Sequence, residues 1–111
     1  MKEMKEGTLL RIFVGEDDKY EGKPLYEQIV LRAKELDLAG ATVLRGLMGY
    51  GAHSQMHTAK ILRLSENLPL VIEIVDTQKN LDKIMSFLDD VIKEGWVTTE
   101  KVKVLKYRRN G

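Results

Sequence analysis

Leu68-Pro-Leu-Val-Ile-Glu-Ile-Val75 is the stretch on which the fold turns. Leu70, Ile72 and Ile74 alternate with Val71, Glu73 and Val75, a period of two that marks a β-strand rather than a helix. Asp76 or Thr77 then stands where a helix N-cap belongs. Leu81, Ile84, Leu88 and Val91 follow at helical spacing, Gly95 stops the helix, and a last strand is expected over roughly Thr99 to Tyr107.

The first half of the chain has the same grammar. Thr8-Leu-Leu-Arg-Ile-Phe-Val14 alternates as a strand, and a polar connector runs from Glu16 to Lys23. Pro24 occupies a first helical position, where its missing N–H costs nothing. Leu25, Ile29, Ala33 and Leu36 form a helical stripe that Leu38-Ala39-Gly40 closes, and Ala41 to Arg45 is the next strand. Two β-α-β units predict an α+β fold: a ferredoxin-like β-α-β-β-α-β sandwich, with a four-stranded antiparallel sheet and two helices on one face. The 111 residues, 43% of them apolar, fit a single domain spanning 1–111.

That architecture makes the second face of the sheet informative. If Leu10, Ile12 and Val14 face the helices, then Leu9, Arg11 and Phe13 face away, as do Val71, Glu73 and Val75. Four of these six outward residues are apolar. Sheet-to-sheet association in a homo-oligomer is the expected use of such a face.

Between the halves lies Gly46-Leu-Met-Gly49-Tyr-Gly51-Ala-His53-Ser-Gln-Met-His57. Three glycines in six residues let a backbone approach a ligand closely, which suggests an anion-binding concavity or a mobile loop. The strand order, this long loop, and the segments Gly40-Ala-Thr-Val-Leu-Arg-Gly46 and Leu68 to Asp76 resemble the PII-type nitrogen-signalling superfamily. Gly40 through Gly51, with Leu62-Arg-Leu-Ser65, is more similar to an uncharacterised PII-like branch, a bacterial and archaeal domain of unknown function.

The resemblance implies a homotrimer with its sheets packed inward and an adenine nucleotide (ATP, ADP or AMP) between subunits. It also implies a mobile loop that reports occupancy to a protein partner, which in PII proteins can be a membrane transporter. On this pattern Arg45, Gly46, Gly49, Tyr50 and Gly51 line the nucleotide, and Arg108 and Arg109 match the C-terminal arginines that reach phosphates. The Gly-Asp-Gly-Lys type phosphate loop is absent: Lys93-Glu-Gly95-Trp-Val-Thr-Thr-Glu-Lys101 keeps one glycine and no matching lysine. Phosphate coordination then passes to Lys101 or Lys103, or a different ligand is bound. Tyr50 does not match the modified tyrosine of PII, so nucleotidylylation is not carried over.

Other chemistries are poorly supplied. Without cysteine there is no disulfide framework, thiolate metal site or cysteine nucleophile. His53 and His57 lie four apart but lack a third ligand at metal-site spacing, and no metal is expected. Ser54 beside His53 has no orienting acid. The chain is too short for a doubly wound dinucleotide fold. RNA-recognition domains of this strand order need aromatics on the central strands, and Leu68 to Val75 has none. A net charge of +1 favours neither nucleic acid nor an acidic membrane. The turn Glu16-Asp17-Asp18 would repel the substrate of an acylphosphatase-like loop; it has no calcium-loop pattern and reads as a solvated turn. The methionines and Trp96 read as core or interface filling. With no membrane-length apolar run and a polar start, a cytoplasmic protein is expected; the resemblance, with Arg45 and the glycine stretch, implies a non-enzymatic nucleotide sensor, the alternative being an oligomeric adaptor with no small-molecule ligand.

Overall fold

The computed structural model describes residues 5–50, 57–58 and 67–108, the pair 57–58 as backbone only. Among the described residues ten elements follow in order: β1 (Glu6–Gly15), β2 (Lys19–Tyr20), β3 (Lys23–Pro24), α1 (Leu25–Glu35), β4 (Thr42–Arg45), β5 (Met48–Gly49), β6 (His57–Thr58), β7 (Pro69–Asp76), α2 (Gln78–Val91) and β8 (Trp96–Lys103). β4, β7, β1 and β8 lie side by side in that order, every neighbouring pair antiparallel. This is the split β-α-β arrangement, with β1 and β4 running the same way on either side of β7.

The alternation in β1 and β7 sorts side chains as their sequence anticipates. Leu10, Ile12 and Val14, with Leu70, Ile72 and Ile74, are buried, while Leu9, Arg11, Phe13, Val71, Glu73 and Val75 are half-buried on the other side. The helices supply Leu25, Ile29 and Ala33 from α1 and Leu81, Ile84, Leu88 and Val91 from α2 to the same core. Burying a side chain of this size contributes about 2 kcal/mol, so the two stripes hold the helices to the sheet. At their margin Phe87 meets Tyr20 edge-on, ring centroids 5.9 Å apart, and lies 4.2 Å beneath the Arg32 guanidinium.

Several boundaries move from their expected places. α1 begins at Leu25, with Pro24 as its N-cap, and it ends at Glu35, because Asp37 takes a left-handed conformation at φ 59° well before Gly40. The connector from Glu16 to Lys23 contains the β2–β3 ribbon, turned by positive φ at both Glu21 and Gly22. Thr77 is the N-cap of α2, its Oγ1 accepting the Asn80 N–H at 3.2 Å, whereas Asp76 is fully buried. β8 starts three residues earlier than the pattern suggests, directly after Gly95. That glycine has φ 135°, and a Cβ there would stand 2.2 Å from the Phe13 carbonyl oxygen.

The face away from the helices carries one unbroken apolar row. Leu44 opposes Val71, Val71 opposes Phe13, and Phe13 opposes Trp96, so the row crosses all four strands. Phe13 and Trp96 stack with centroids 5.2 Å apart. The adjacent row is polar: Arg11 Nε donates to Glu73 Oε2 at 2.9 Å, and Arg11 Nη1 lies 3.6 Å from Glu100 Oε1.

Candidate functional site

The long loop leaves the sheet at Arg45, the last residue of β4, and returns at Asn67 and Leu68 before β7. At its root, β5 and β6 pair as a short antiparallel ribbon, Met48 with Thr58 and Gly49 with His57. Gly46 donates its N–H to the Pro69 carbonyl at 2.7 Å. A Cβ on Gly46 would lie 2.8 Å from Pro69 Cγ, and one on Gly49 3.1 Å from the same atom. Neither glycine has positive φ; what they require is room beside the proline ring. Leu47, Met48 and Tyr50 point outward, between 57% and 77% exposed.

Facing this root is the acidic turn that follows β1. The Arg45 guanidinium donates through Nη2 to Glu16 Oε2 in a close ion pair. The Glu16 N–H donates to the Leu68 carbonyl at 2.8 Å, and the Asp17 N–H to Asn67 Oδ1 at 2.7 Å. Asp18 Oδ2 accepts the Gly15 N–H at 2.8 Å. The turn read as merely solvated therefore grips both arms of the loop. A signal for this exists: β1 and β4 run parallel two strand positions apart, so Glu16 and Arg45 emerge at one end of the sheet, ~10 Å apart across the start of β7. Tyr26, in the first turn of α1, lies within reach of the same charges. Its hydroxyl is pushed above the usual tyrosine range, chiefly by the Glu27 carboxylate and then by burial, with Glu16 raising it further and Arg45 lowering it.

Lys101 and Lys103, also expected at the site, lie far from Arg45 within the chain. Lys101 opposes Thr8 and Lys103 opposes Glu6, at the far end of β8, whereas Arg45 aligns through Leu70 with Val14. Three strand spacings (~14 Å) and six residues along β1 (~20 Å) separate Arg45 from Lys101. Arg108 is exposed beyond β8. Gly51, His53 and Arg109 lie outside the described residues, and His57 is described only as backbone in β6. Among the described residues no three His, Cys, Asp or Glu side chains converge as a metal site would need. No described helix is long and apolar enough to cross a membrane.

A sheet of this order, with both helices on one face and a long loop between β4 and β7, has the PII-like ferredoxin-type fold. The solved structure of CPII from Thiomonas intermedia, a nitrogen regulatory PII-like protein bound to ADP, AMP and bicarbonate, matches it with a TM-score of 0.63 at 16% identity, covering 91% of this chain and 90% of that one. The divalent ion tolerance protein CutA1 from Ehrlichia chaffeensis matches with a TM-score of 0.57 at 14% identity, over 96% of this chain and 88% of its own. The chain belongs to the DUF190 family, an uncharacterized ACR group whose pattern spans residues 7–104. A UPF0166 protein of Aquifex aeolicus is 42% identical over 99 residues, 87% of this chain and 91% of the relative. Another, from Methanocaldococcus jannaschii, is 39% identical over 90 residues, 81% of this chain and 82% of the relative.

Proposed function

We propose that the chain is a cytoplasmic, non-enzymatic PII-like sensor. Subunits associate through the outward sheet face as a homotrimer, an adenine nucleotide binds between them, and the 46–60 loop reports its presence to a protein partner. One observation carries the reading: Arg45 and the β8 lysines Lys101 and Lys103 sit at opposite corners of a sheet whose outer face bears the row Leu44, Val71, Phe13 and Trp96. In a single subunit these cations cannot share one small anion. Packing that apolar face against neighbouring copies buries it and sets one subunit's β4 edge near another's β8 edge. The nucleotide phosphates would then meet Arg45 with backbone N–H groups of the glycine stretch other than that of Gly46, which the Pro69 carbonyl already holds, and Lys101, Lys103, Arg108 or Arg109 of the neighbour. CPII, which shares the fold, is described as bound to ADP and AMP, and that supports an adenine nucleotide as the first ligand to test.

The test is calorimetric titration with ATP, ADP and AMP, with light scattering for mass. Saturable heats from a protein of trimeric mass are expected. No heat and no melting shift at millimolar nucleotide reject the sensor, and a monomeric mass removes the second wall of the site. Arg108→Ala with Arg109→Ala should weaken binding; unchanged affinity would dismiss their assignment to phosphate. A second reading, an oligomeric adaptor without ligand, is favoured by the outward Leu47, Met48 and Tyr50 at the loop root, and it expects a stable oligomer silent in every titration.

A further inference from the structure

We infer that Glu16 is a built-in counter-anion for Arg45, which an anionic ligand must displace, and that it sets the ligand affinity of the loop root. The inference rests on the reading of Arg45 as a ligand-binding cation.

Both partners sit on anchored backbone, Arg45 through its β4 pairing with Leu70, but their side chains differ in freedom. Glu16 sits on backbone tied down on both sides: its own N–H is bonded to the Leu68 carbonyl, Asp17 to the Asn67 side chain, and Asp18 to both Gly15 and, through its carbonyl, the Leu25 N–H at 2.8 Å. Its side chain is only 23% exposed. Arg45 remains 62% exposed and meets the carboxylate through a single guanidinium nitrogen, Nη2. A guanidinium has five N–H donors in a planar fork, so one carboxylate oxygen leaves most of that fork available to an incoming anion. The fixed partner is the acid and the movable one is the base. Arg45 can therefore exchange Glu16 for a ligand, while Glu16 cannot follow it.

Two consequences follow. Glu16 lowers the apparent affinity of any anion by the strength of its own pairing, and a phosphate of charge near −2 competes with it better than a monocarboxylate does. Ligand binding in turn frees the loop root from one of its ties, and by reciprocity whatever loosens that tie favours the ligand.

The experiment is titration of ADP into the full chain and into Glu16→Gln, Arg45→Gln and the double variant at low salt, with Asp17→Asn as a control for the same change in net charge. Glu16→Gln keeps the side-chain length and every main-chain bond of the turn. It should bind ADP roughly two- to fivefold more tightly than the unaltered protein, the range that an exposed ion pair represents. Arg45→Gln should weaken binding, the double variant should match Arg45→Gln, and Asp17→Asn should leave affinity unchanged. Equal or weaker binding by Glu16→Gln, while the unaltered protein binds ADP, overturns the inference and leaves the sensor reading standing. A gain that survives in the Arg45→Gln background overturns it too, because it would then act through net charge. Absence of ADP binding by both the unaltered protein and Glu16→Gln removes the sensor reading and the inference with it.

Discussion

Asp76 reaches from the end of β7 to the connector before β4, its Oδ2 accepting the Ala39 N–H at 2.8 Å from 37 residues away in sequence. Its Oδ1 accepts the Thr77 N–H at 2.7 Å and Asn80 Nδ2 at 3.0 Å. A fully buried carboxylate thus joins the start of α2 to the Ala39-Gly40 turn. Hydrogen bonds to an ionised group are stronger than neutral ones, and donors stripped of their acceptor keep their desolvation cost.

Asp76→Ala should therefore destabilise the protein by about 3 kcal/mol, and Asp76→Asn, which retains one acceptor oxygen, by about half as much. Urea midpoints check both, and a loss under about 0.5 kcal/mol for the alanine variant would dismiss the joint.

Three glycines should respond to alanine in a fixed order. Gly95→Ala puts a Cβ against the Phe13 carbonyl at a left-handed φ and should cost about 3 kcal/mol or more. Gly46→Ala brings a Cβ to 2.8 Å from Pro69 Cγ, with the Pro69 carbonyl oxygen at 3.4 Å, and should cost about 1–2 kcal/mol. Gly40→Ala has open space around it and should be neutral within about 0.5 kcal/mol. Thermal melting ranks them, and a Gly40 variant as damaged as Gly95 would contradict the geometry.

The outward face offers a direct probe of assembly. Val71 lies between Leu44 and Phe13, and Val71→Asp places a charge in the middle of the apolar row. If that row is the subunit interface, association should weaken by a factor of a hundred or more, about 3 kcal/mol. Sedimentation across a dilution series measures it. An unchanged mass would show that the subunits meet elsewhere.

Alkali should unfold the protein partly through two tyrosines. Tyr20 is raised above its ordinary pKa of 10.0, mainly by its hydrogen bond to the Glu21 carboxylate, and Tyr26 by the nearby charge of Glu27. A pKa raised by folding means that the native state holds the proton more tightly. The contribution is fully present below the unfolded pKa, near 10, and is lost as pH climbs through the folded value. The Tyr20→Phe, Tyr26→Phe double variant should lose less stability between pH 9 and pH 11 than the unaltered protein does. Identical slopes would refute the assignment.

Much of this was legible in the residues alone. The alternation in Leu68 to Val75 and Thr8 to Val14 sorts side chains between two faces, and the stripes Leu25-Ile29-Ala33 and Leu81-Ile84-Leu88-Val91 mark the helices that cover one of them. Such periodicity records which face meets water at each position, and it survives without knowledge of partners. The edge strand β8 was harder to read. It is covered on neither side along most of its length, so its start is set by pairing with β1 and by the clearance at Gly95 rather than by a pattern of its own.

The root of the loop was decided in three dimensions. Gly46 and Gly49, which invite a ligand reading, have the Pro69 ring where a Cβ would stand, and Arg45 finds its counter-charge in Glu16, 29 residues away, rather than in a carboxylate nearer to it in sequence. Sequence by itself determined the β-α-β-β-α-β order, the buried face and the apolar character of the open one, because each follows from local spacing of polar and apolar residues. Only the tertiary structure decided that Arg45 and Lys101 occupy opposite corners and that the acidic turn holds the loop, because strand order brings together or parts residues whose separation along the chain carries no such information.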